Sequence, residues 1–248
     1  MSIKKSNYII IPNEVFKDSV KNKSRILSVD ELYLYSWMYR RRIPDGWFVE
    51  ISIDNINNIC YKFANGDESR NKRTIKQMLL NLKEKEYVTA IGAFDIHEKM
   101  KNSDTIVIEF PQIDTTLGYN DNITYKIFDQ FDSPLEFYIY AYIDCYGDGG
   151  RSISYYKWSK LVKKSETTVK ETISRMNTYK FNPRIWKFSG DYFESKGKVM
   201  QQENTYYTRP DEDTIKQWNG YYAKDQSERN PVFSFKGHKK EKVWGDVF

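Results

Sequence analysis

The chain has 248 residues, of which 40% are apolar, so it is long enough for two domains with hydrophobic cores and its composition excludes a disordered chain. Its net charge of +5, from 39 Lys and Arg against 34 Asp and Glu, is too small to establish a polyanionic partner by itself. No stretch approaches the ~18 apolar residues of a membrane-spanning helix, and the two cysteines lack CxxC spacing, so we expect a cytoplasmic protein that does not enter a membrane.

Three helices and three strands are predicted in the first half of the chain. Ser28 is a good N-cap, and Glu31 three positions later completes a capping box, so a helix is predicted to begin at Val29. In the following helices apolar residues recur at spacings of three and four, as on the buried face of a helix. The predicted order is a helix at 29–42, a strand at 47–51, a short helix at 53–60, a long helix at 67–86, and strands at 88–91 and 105–110.

The second half of the chain predicts the same elements in the same order. Ser133 followed by Pro134 is typical of a helix start, because Pro suits the first helical position, and Ser165 is a good cap for a later helix. The predicted order is a helix from 134, a strand at 152–154, helices at 156–163 and 166–179, and a hairpin that joins 185–188 to 198–207.

The two halves also resemble each other in sequence. Their length differences fall in loops, where insertions are tolerated. We infer an internal repeat from three matches in the same order. The matching segments are 31–37 with 136–142, 51–52 with 153–154, and 74–76 with 168–170.

Helix, strand, helix, helix and hairpin is the element order of a winged-helix domain, a form of the helix-turn-helix fold. The sequence therefore predicts a helix-rich α+β protein with two tandem winged-helix domains, at 1–118 and 119–207, and a tail at 208–248. The tail carries a predicted helix at 211–224 and then a basic, aromatic end. This end either binds a partner protein or single-stranded DNA, or it is a charged terminus beyond a packed helix.

The third helix of the first domain is the candidate recognition helix. In helix-turn-helix proteins the first turns of this helix lie against base edges and phosphates in the major groove. Arg can pair with guanine and Asn with adenine, while Lys and Thr can hold phosphates. The alternative is an exposed helix start that binds nothing. The predicted DNA-binding residues are Arg70, Asn71, Lys72, Arg73, Thr74 and Lys76.

The second domain carries a basic surface rich in hydroxyl groups, which favours contact with the DNA backbone over reading of bases. The alternative is a lysine-rich face that only improves solubility. The predicted residues are Lys157, Lys160, Lys163, Lys164, Ser165, Thr167, Thr168 and Lys170. The hairpins add cations where a wing would touch the adjacent backbone, although lysine is also ordinary in such turns; they are Lys99, Lys101, Lys196 and Lys198.

No motif for catalysis or for a bound cofactor is present in the sequence. His97 and His238 are the only histidines, and neither has a Cys, His or carboxylate neighbour at metal-ligand spacing. There is no phosphate-binding GxxxxGK[ST] or GxGxxG motif after a predicted strand. We therefore expect a protein that is not an enzyme, with no metal and no cofactor.

Residues 8 to 110 resemble the N-terminal winged-helix domains of replication initiators from plasmids and phages of low-GC Gram-positive bacteria, the RepA_N and DnaD types. The likeness lies in the motifs YIIIPNEVF at 8–16, LS at 27–28, GWF at 46–48, KRTI at 72–75 and LKEKEYV at 82–88. The second predicted winged helix departs from RepA_N proteins, which have a variable C-terminal domain there. It is similar instead to the tandem winged-helix initiators of other plasmids.

The resemblance implies a sequence-specific protein that binds double-stranded DNA at origin repeats and works with replication proteins such as a helicase or its loader. A transcriptional regulator of a mobile element, with self-association, is a second hypothesis. A third is an adaptor or helicase-loading protein that uses its winged helices for protein contacts.

Overall fold

The computed structural model describes residues 7–16, 25–43, 46–59, 66–92, 95–111, 118–147, 150–177, 184–195 and 198–223. Over these ranges the chain is a mixed α/β protein with small antiparallel sheets. It divides into two compact units, Met1–Cys145 and Tyr146–Phe248. No helix in the described ranges combines the length and the apolar character needed to cross a membrane.

The first unit contains every helix and strand predicted for the first half of the chain, close to the predicted bounds. It also contains β1, β5 and the short helix α4, which were not predicted. The elements are β1 (Tyr8–Pro12), α1 (Val29–Arg40), β2 (Phe48–Ile51), α2 (Ile53–Ile59), α3 (Glu68–Glu84), β3 (Thr89–Ile91), β4 (Ile106–Glu109), β5 (Tyr119–Thr124), α4 (Tyr125–Phe128) and α5 (Pro134–Asp144).

The second unit holds the remaining elements of the second half. The predicted tail helix is present as α8, whereas residues 224–248, the basic aromatic end, lie outside the described residues. The elements are β6 (Arg151–Ile153), α6 (Tyr155–Val162), α7 (Glu166–Asn177), β7 (Trp186–Phe188), β8 (Tyr192–Ser195), β9 (Lys198–Gln201), β10 (Asn204–Tyr207) and α8 (Glu212–Ala223).

The three-stranded sheets of the two units share one topology. Their strand orders are β2-β4-β3 and β6-β10-β7, and every pairing is antiparallel. In both sheets the central strand is the last of the three strands in chain order. Its neighbours are the strand before the second helix and the strand after the third helix. The series from α1 to β4 and from α5 to β10 therefore run through the same element order, except that the second has β8 and β9 inserted before its last strand.

A cluster of aromatic side chains brings α1 and α5 together inside the first unit. Strand β1 pairs with β5. The chain that follows β1 packs on α5, and the chain that follows β5 packs on α1. Phe16 packs edge-on against Tyr138 of α5 at 5.4 Å, while Phe128 stacks on Tyr33 of α1 at 5.0 Å. The first compact unit therefore includes α5 and runs to Cys145, because α5 packs on α1.

Glu31 is a buried carboxylate that joins α1 to the end of α3 in the first unit. The predicted capping box is present, since the Ser28 N–H donates to Glu31 Oε2 at 2.8 Å and the Glu31 N–H donates to Ser28 Oγ at 3.3 Å. Asn81 and Lys85 of the α3 end donate to the same carboxylate at 2.6 and 2.7 Å. Burial alone would raise the pKa of Glu31, but the hydrogen bonds from Lys85, Ser28 and Asn81 outweigh it and hold the pKa below 4.5.

Glu31→Gln is expected to lower the free energy of unfolding at neutral pH by about 1–3 kcal/mol, because it leaves the Lys85 charge without its partner. Since the folded-state pKa of Glu31 is lowered, its contribution is present above the unfolded-state pKa and is lost as pH falls through the folded-state value. Urea unfolding of the variant should therefore show a deficit at about pH 7 that shrinks at about pH 3. Glu84→Gln, on the exposed surface of α3, is the control. An equal deficit at both pH values would contradict this account.

The hairpin of the second unit consists of two paired segments, and we call the interruption between them, at residues 189–191 and 202–203, the bend. Strand β7 pairs with β10, and β8 pairs with β9 beyond the bend. At the bend the Gln202 N–H donates to the Asp191 carbonyl at 2.9 Å, and the Gln201 side-chain amide donates to the Gly190 carbonyl at 3.1 Å. The two chain segments approach so closely that a Cβ at Gly190 would lie 2.2 Å from the Gln202 carbonyl oxygen.

Gly190→Ala is expected to open this bend, because the clash is with backbone and no side-chain rotation relieves it. Overpacking of this kind typically costs about 1–3 kcal/mol of unfolding free energy. Hydrogen exchange should accelerate in β8 and β9 and remain unchanged in α6 and α7. Gly220→Ala is a matched control, because Gly220 lies in α8 with open space around its Cα, and it should stabilise the helix by up to about 1 kcal/mol. If hydrogen exchange in the hairpin of the Gly190→Ala variant is unchanged, the close approach of the two chain segments at the bend is contradicted.

Candidate nucleic-acid interface

Helix α3 presents a polar stripe to solvent. Asp67 caps the helix by accepting the Arg70 N–H at 3.0 Å. The apolar face is buried, with Ile75 and Leu79 at most 1% exposed. The opposite side carries exposed residues at spacings of three and four, which we call the α3 stripe. It consists of Arg70, Arg73, Thr74 and Gln77.

Asn71 and Lys72, both predicted to contact DNA, are not part of this stripe. Asn71 is 6% exposed and lies on the buried side of the helix, so it cannot read a base from this position. Lys72 Nζ forms salt bridges with Asp54 at 2.8 Å and Glu68 at 2.5 Å. Hydrogen bonds to these two carboxylates raise the pKa of Lys72. Lys72 therefore ties α3 to α2, and its charge is largely compensated within the unit.

Lys76 fastens the chain between β3 and β4 onto α3. Its Nζ donates to the carbonyl oxygens of Glu98 at 3.2 Å and Met100 at 2.6 Å. Met100 and Ile96 of this connection are 3% and 1% exposed, so the connection is packed against the unit rather than projecting as a free turn. Lys83 reinforces the same contact by donating to the Ile96 carbonyl at 3.0 Å.

Lys99 and Lys101 stand on either side of Met100 and are both exposed. Because the carbonyl groups of residues 98 and 100 bind Lys76, these two cations lie beside α3. The structure therefore brings the predicted hairpin cations of the first unit next to α3. Lys196 and the side chain of Lys198 lie outside what the structure describes.

The side chains of Arg40, Arg41 and Arg42 make contacts within the first unit. They are not part of the surface formed by the α3 stripe. Arg40 forms a salt bridge with Asp129 at 2.6 Å. The guanidinium of Arg41 lies over the Trp37 ring at 3.7 Å, and that of Arg42 lies over the Tyr39 ring at 4.0 Å. Cation–π contacts and one ion pair thus account for these three charges.

Six of the eight predicted residues of the second unit lie around the turn between α6 and α7. Ser165 Oγ accepts the Thr168 N–H at 3.1 Å and lies 2.8 Å from the Thr168 hydroxyl, so the predicted cap is present. Lys163 adopts a left-handed conformation with φ of 53° and turns the chain from α6 into α7. The exposed residues around this turn are Lys160, Lys163, Lys164, Ser165, Thr167 and Thr168.

Two other predicted residues of the second unit lie apart from this turn surface. Lys157 is exposed but forms a salt bridge with Glu203 at 2.7 Å. Lys170 is half-buried, with its Nζ 5.7 Å from the centre of the Tyr155 ring. The turn at Lys163 therefore carries three of the predicted cations, Lys160, Lys163 and Lys164, in exposed positions.

Gln77 belongs to the α3 stripe but was not among the DNA-binding residues predicted from the sequence. It lies four residues after Arg73 and three after Thr74, so helical spacing from those two residues points to it. Its amide donates to Asn81 Oδ1 at 2.9 Å, which orients the side chain along the exposed face.

Comparison with protein-family models and with curated proteins gives no match for this chain. Among the residues that the structure describes, no group of three or more His, Cys, Asp or Glu is placed to hold a metal ion.

Proposed function

We propose that the chain binds double-stranded DNA through two winged-helix modules, one in each half of the chain. The observation that carries the proposal is the α3 stripe, which exposes Arg70 and Arg73 on the helix that would enter the major groove. Both sheets have the small antiparallel form that a winged-helix hairpin makes with the strand before the second helix.

The chemistry of the α3 stripe suits base recognition. An Arg side chain can donate two hydrogen bonds to guanine, and a Gln side chain can pair with adenine through its amide. Thr74, next to Arg73, adds a methyl group, and its hydroxyl donates to the Arg70 carbonyl at 2.9 Å. Lys99 and Lys101, beside the helix, are positioned to bind phosphates next to the groove.

The chemistry of the second unit suits contacts with the DNA backbone. Lys160, Lys163 and Lys164 provide exposed charge, and the start of α7 provides N–H groups and hydroxyls. A helix start binds phosphate well because its N–H groups and dipole both favour negative charge. We therefore assign base reading to the first unit and backbone binding to the second.

The biological role that we propose is initiation of plasmid or phage replication in the cytoplasm, by binding of repeated origin sequences. Two DNA-binding modules in one chain and the sequence likeness to replication initiators support this role. A helicase or its loader is the expected protein partner at such an origin.

A footprinting experiment on the DNA that flanks the protein's own gene tests the role. Adjacent protected repeats are expected, and an unrelated fragment of equal length should show no defined protection. Uniform protection of both fragments would contradict origin recognition while leaving DNA binding itself intact.

A further inference from the structure

The connection between β3 and β4 contains a folded segment, residues 95–104, which we call the wing arm. Within it the Met100 N–H donates to the His97 carbonyl at 3.2 Å, and the Asp104 N–H donates to the Lys101 carbonyl at 3.2 Å. The side chain of Asp104 closes the second of these turns, because its Oδ2 accepts the Lys101 N–H at 2.7 Å. The wing arm therefore has a backbone structure of its own, made of two successive turns.

Lys76 of α3 holds the part of the wing arm that carries Lys99 and Lys101. Its Nζ donates to the carbonyl oxygens of Glu98 at 3.2 Å and Met100 at 2.6 Å, which lie on either side of Lys99. The ammonium group of a lysine has three donors, so it can bind both carbonyl groups at once. The Met100 side chain is 3% exposed, so apolar packing fixes the arm at the same point.

Two further contacts attach the rest of the wing arm to the first unit. The Asp54 N–H, in the first turn of α2, donates to the Asn102 carbonyl at 3.0 Å. Lys83, further along α3, donates to the carbonyl of Ile96, a residue that is 1% exposed. Because these contacts do not involve Lys76, a substitution at Lys76 should release the middle of the arm while both of its ends stay attached.

Lys76 is less accessible than the neighbouring members of the α3 stripe. Its side chain is half-buried, whereas Arg73 and Gln77 are exposed. At least two of its three donors are directed at carbonyl oxygens of the wing arm. This geometry favours an indirect effect of Lys76 on DNA, exerted through the wing arm, over the direct contact predicted from its residue type.

We propose that Lys76 is a positioning residue that fixes Lys99 and Lys101 beside α3 and contributes to DNA affinity through these two cations. This role rests on the proposed binding of DNA by the first unit. Binding is stronger when the loop that makes the contacts is already ordered, because less conformational freedom is then lost on association. Lys76 therefore prepares the wing arm to bind the phosphates next to the groove that α3 enters.

The salt dependence of duplex binding distinguishes positioning from direct contact. Each phosphate contact contributes about one to the magnitude of the log–log slope, so Lys99→Ala with Lys101→Ala should reduce it by about two. Lys76→Met alone should reduce it by about one to two, since both cations lose their fixed positions. When Lys76→Met is added to the Lys99→Ala, Lys101→Ala variant, no further reduction is expected. A lysine that bound phosphate directly would remove about one more in that background.

Two variants serve as controls for the charge of Lys76. Lys76→Arg keeps the charge and can donate to both carbonyl oxygens, so it should restore a slope close to that of the wild type. Lys126→Met removes one exposed charge of α4 in the same unit and should leave the slope unchanged.

Hydrogen exchange of the free, full-length protein measures the wing arm without DNA. In Lys76→Met the Met100 amide should exchange about 5- to 30-fold faster, because the two hydrogen bonds that hold this turn on α3 are lost. The Leu79 amide, within α3, should exchange as in the wild type, which shows that the unit as a whole stays folded.

The outcomes separate this role of Lys76 from the proposed function. A further reduction of the slope when Lys76→Met is added to Lys99→Ala and Lys101→Ala overturns the positioning role and makes Lys76 a direct contact. Unchanged exchange of the Met100 amide in Lys76→Met overturns it as well. If the wild-type protein binds no duplex, the proposed function is contradicted instead, and the exchange measurement then decides whether Lys76 fixes the wing arm.

Discussion

Replacement of Arg70 and Arg73 by alanine is expected to lower the affinity for the specific DNA site by about 30-fold to 10⁴-fold. Each arginine that pairs with a guanine contributes about 1–3 kcal/mol of discrimination, so the two together contribute about 2–6 kcal/mol. Both side chains are exposed on the α3 stripe, and the buried face of the helix is untouched. The change should therefore act on binding and leave the free energy of unfolding nearly constant.

Charge-preserving variants show whether these arginines read bases. Arg70→Lys with Arg73→Lys keeps both charges but loses the paired donors of guanidinium, so specific affinity should fall while affinity for random duplex stays the same. Lys126→Ala, an exposed charge of α4 in the same unit, controls for the loss of one cation. Both affinities are measured by fluorescence anisotropy. Equal losses on specific and random duplex would show that the α3 stripe contacts only the backbone.

The affinity for DNA is expected to fall steeply with salt. A protein that neutralises about six to ten phosphates releases the ions condensed on them, so the logarithm of affinity should fall with the logarithm of salt concentration with a slope of about −5 to −9. Between about 50 and 200 mM salt, this corresponds to a loss of about 10³-fold to 10⁵-fold. The exposed cations around the turn at Lys163 and those beside α3 supply the contacts.

Variants of the second unit test where the phosphate contacts lie. Changing Lys160, Lys163 and Lys164 to alanine should reduce the magnitude of the slope by about three, because each phosphate contact contributes about one. Specificity between sites should stay constant in this variant, in contrast to the arginine variants of α3. If these changes leave the slope unchanged, the second unit does not contact DNA phosphates through these lysines.

Much of the fold follows from local signals in the sequence. Ser28 with Glu31, Ser133 with Pro134, and Ser165 each mark a helix start that the structure contains, because a hydroxyl cap acts on the N–H groups of the next three residues. Strands β1 and β5 were missed, since their pairing joins distant parts of the chain. The segment YNDNIT of β5 also has Asn, Asp and Asn in its middle, residue types that are depleted in strands.

Residue type alone did not predict how the side chains of the candidate site are arranged. Asn71 is four residues before Ile75, so the helical period already placed it on the apolar face, and the prediction of base contact neglected that spacing. The binding of Lys76 to the chain between β3 and β4 could not be predicted, because it depends on how a long connection folds back on α3. The same holds for the salt bridge of Lys72 with Asp54.

The central claim is that the α3 stripe reads DNA sequence, and selection of bound duplexes from a random pool tests it most directly. Wild-type protein should enrich one sequence motif containing guanines, and the Arg70→Ala, Arg73→Ala variant should lose that enrichment while still retaining duplexes at low salt. A wild-type pool that stays random after repeated rounds, or the same motif recovered by both proteins, would contradict the claim.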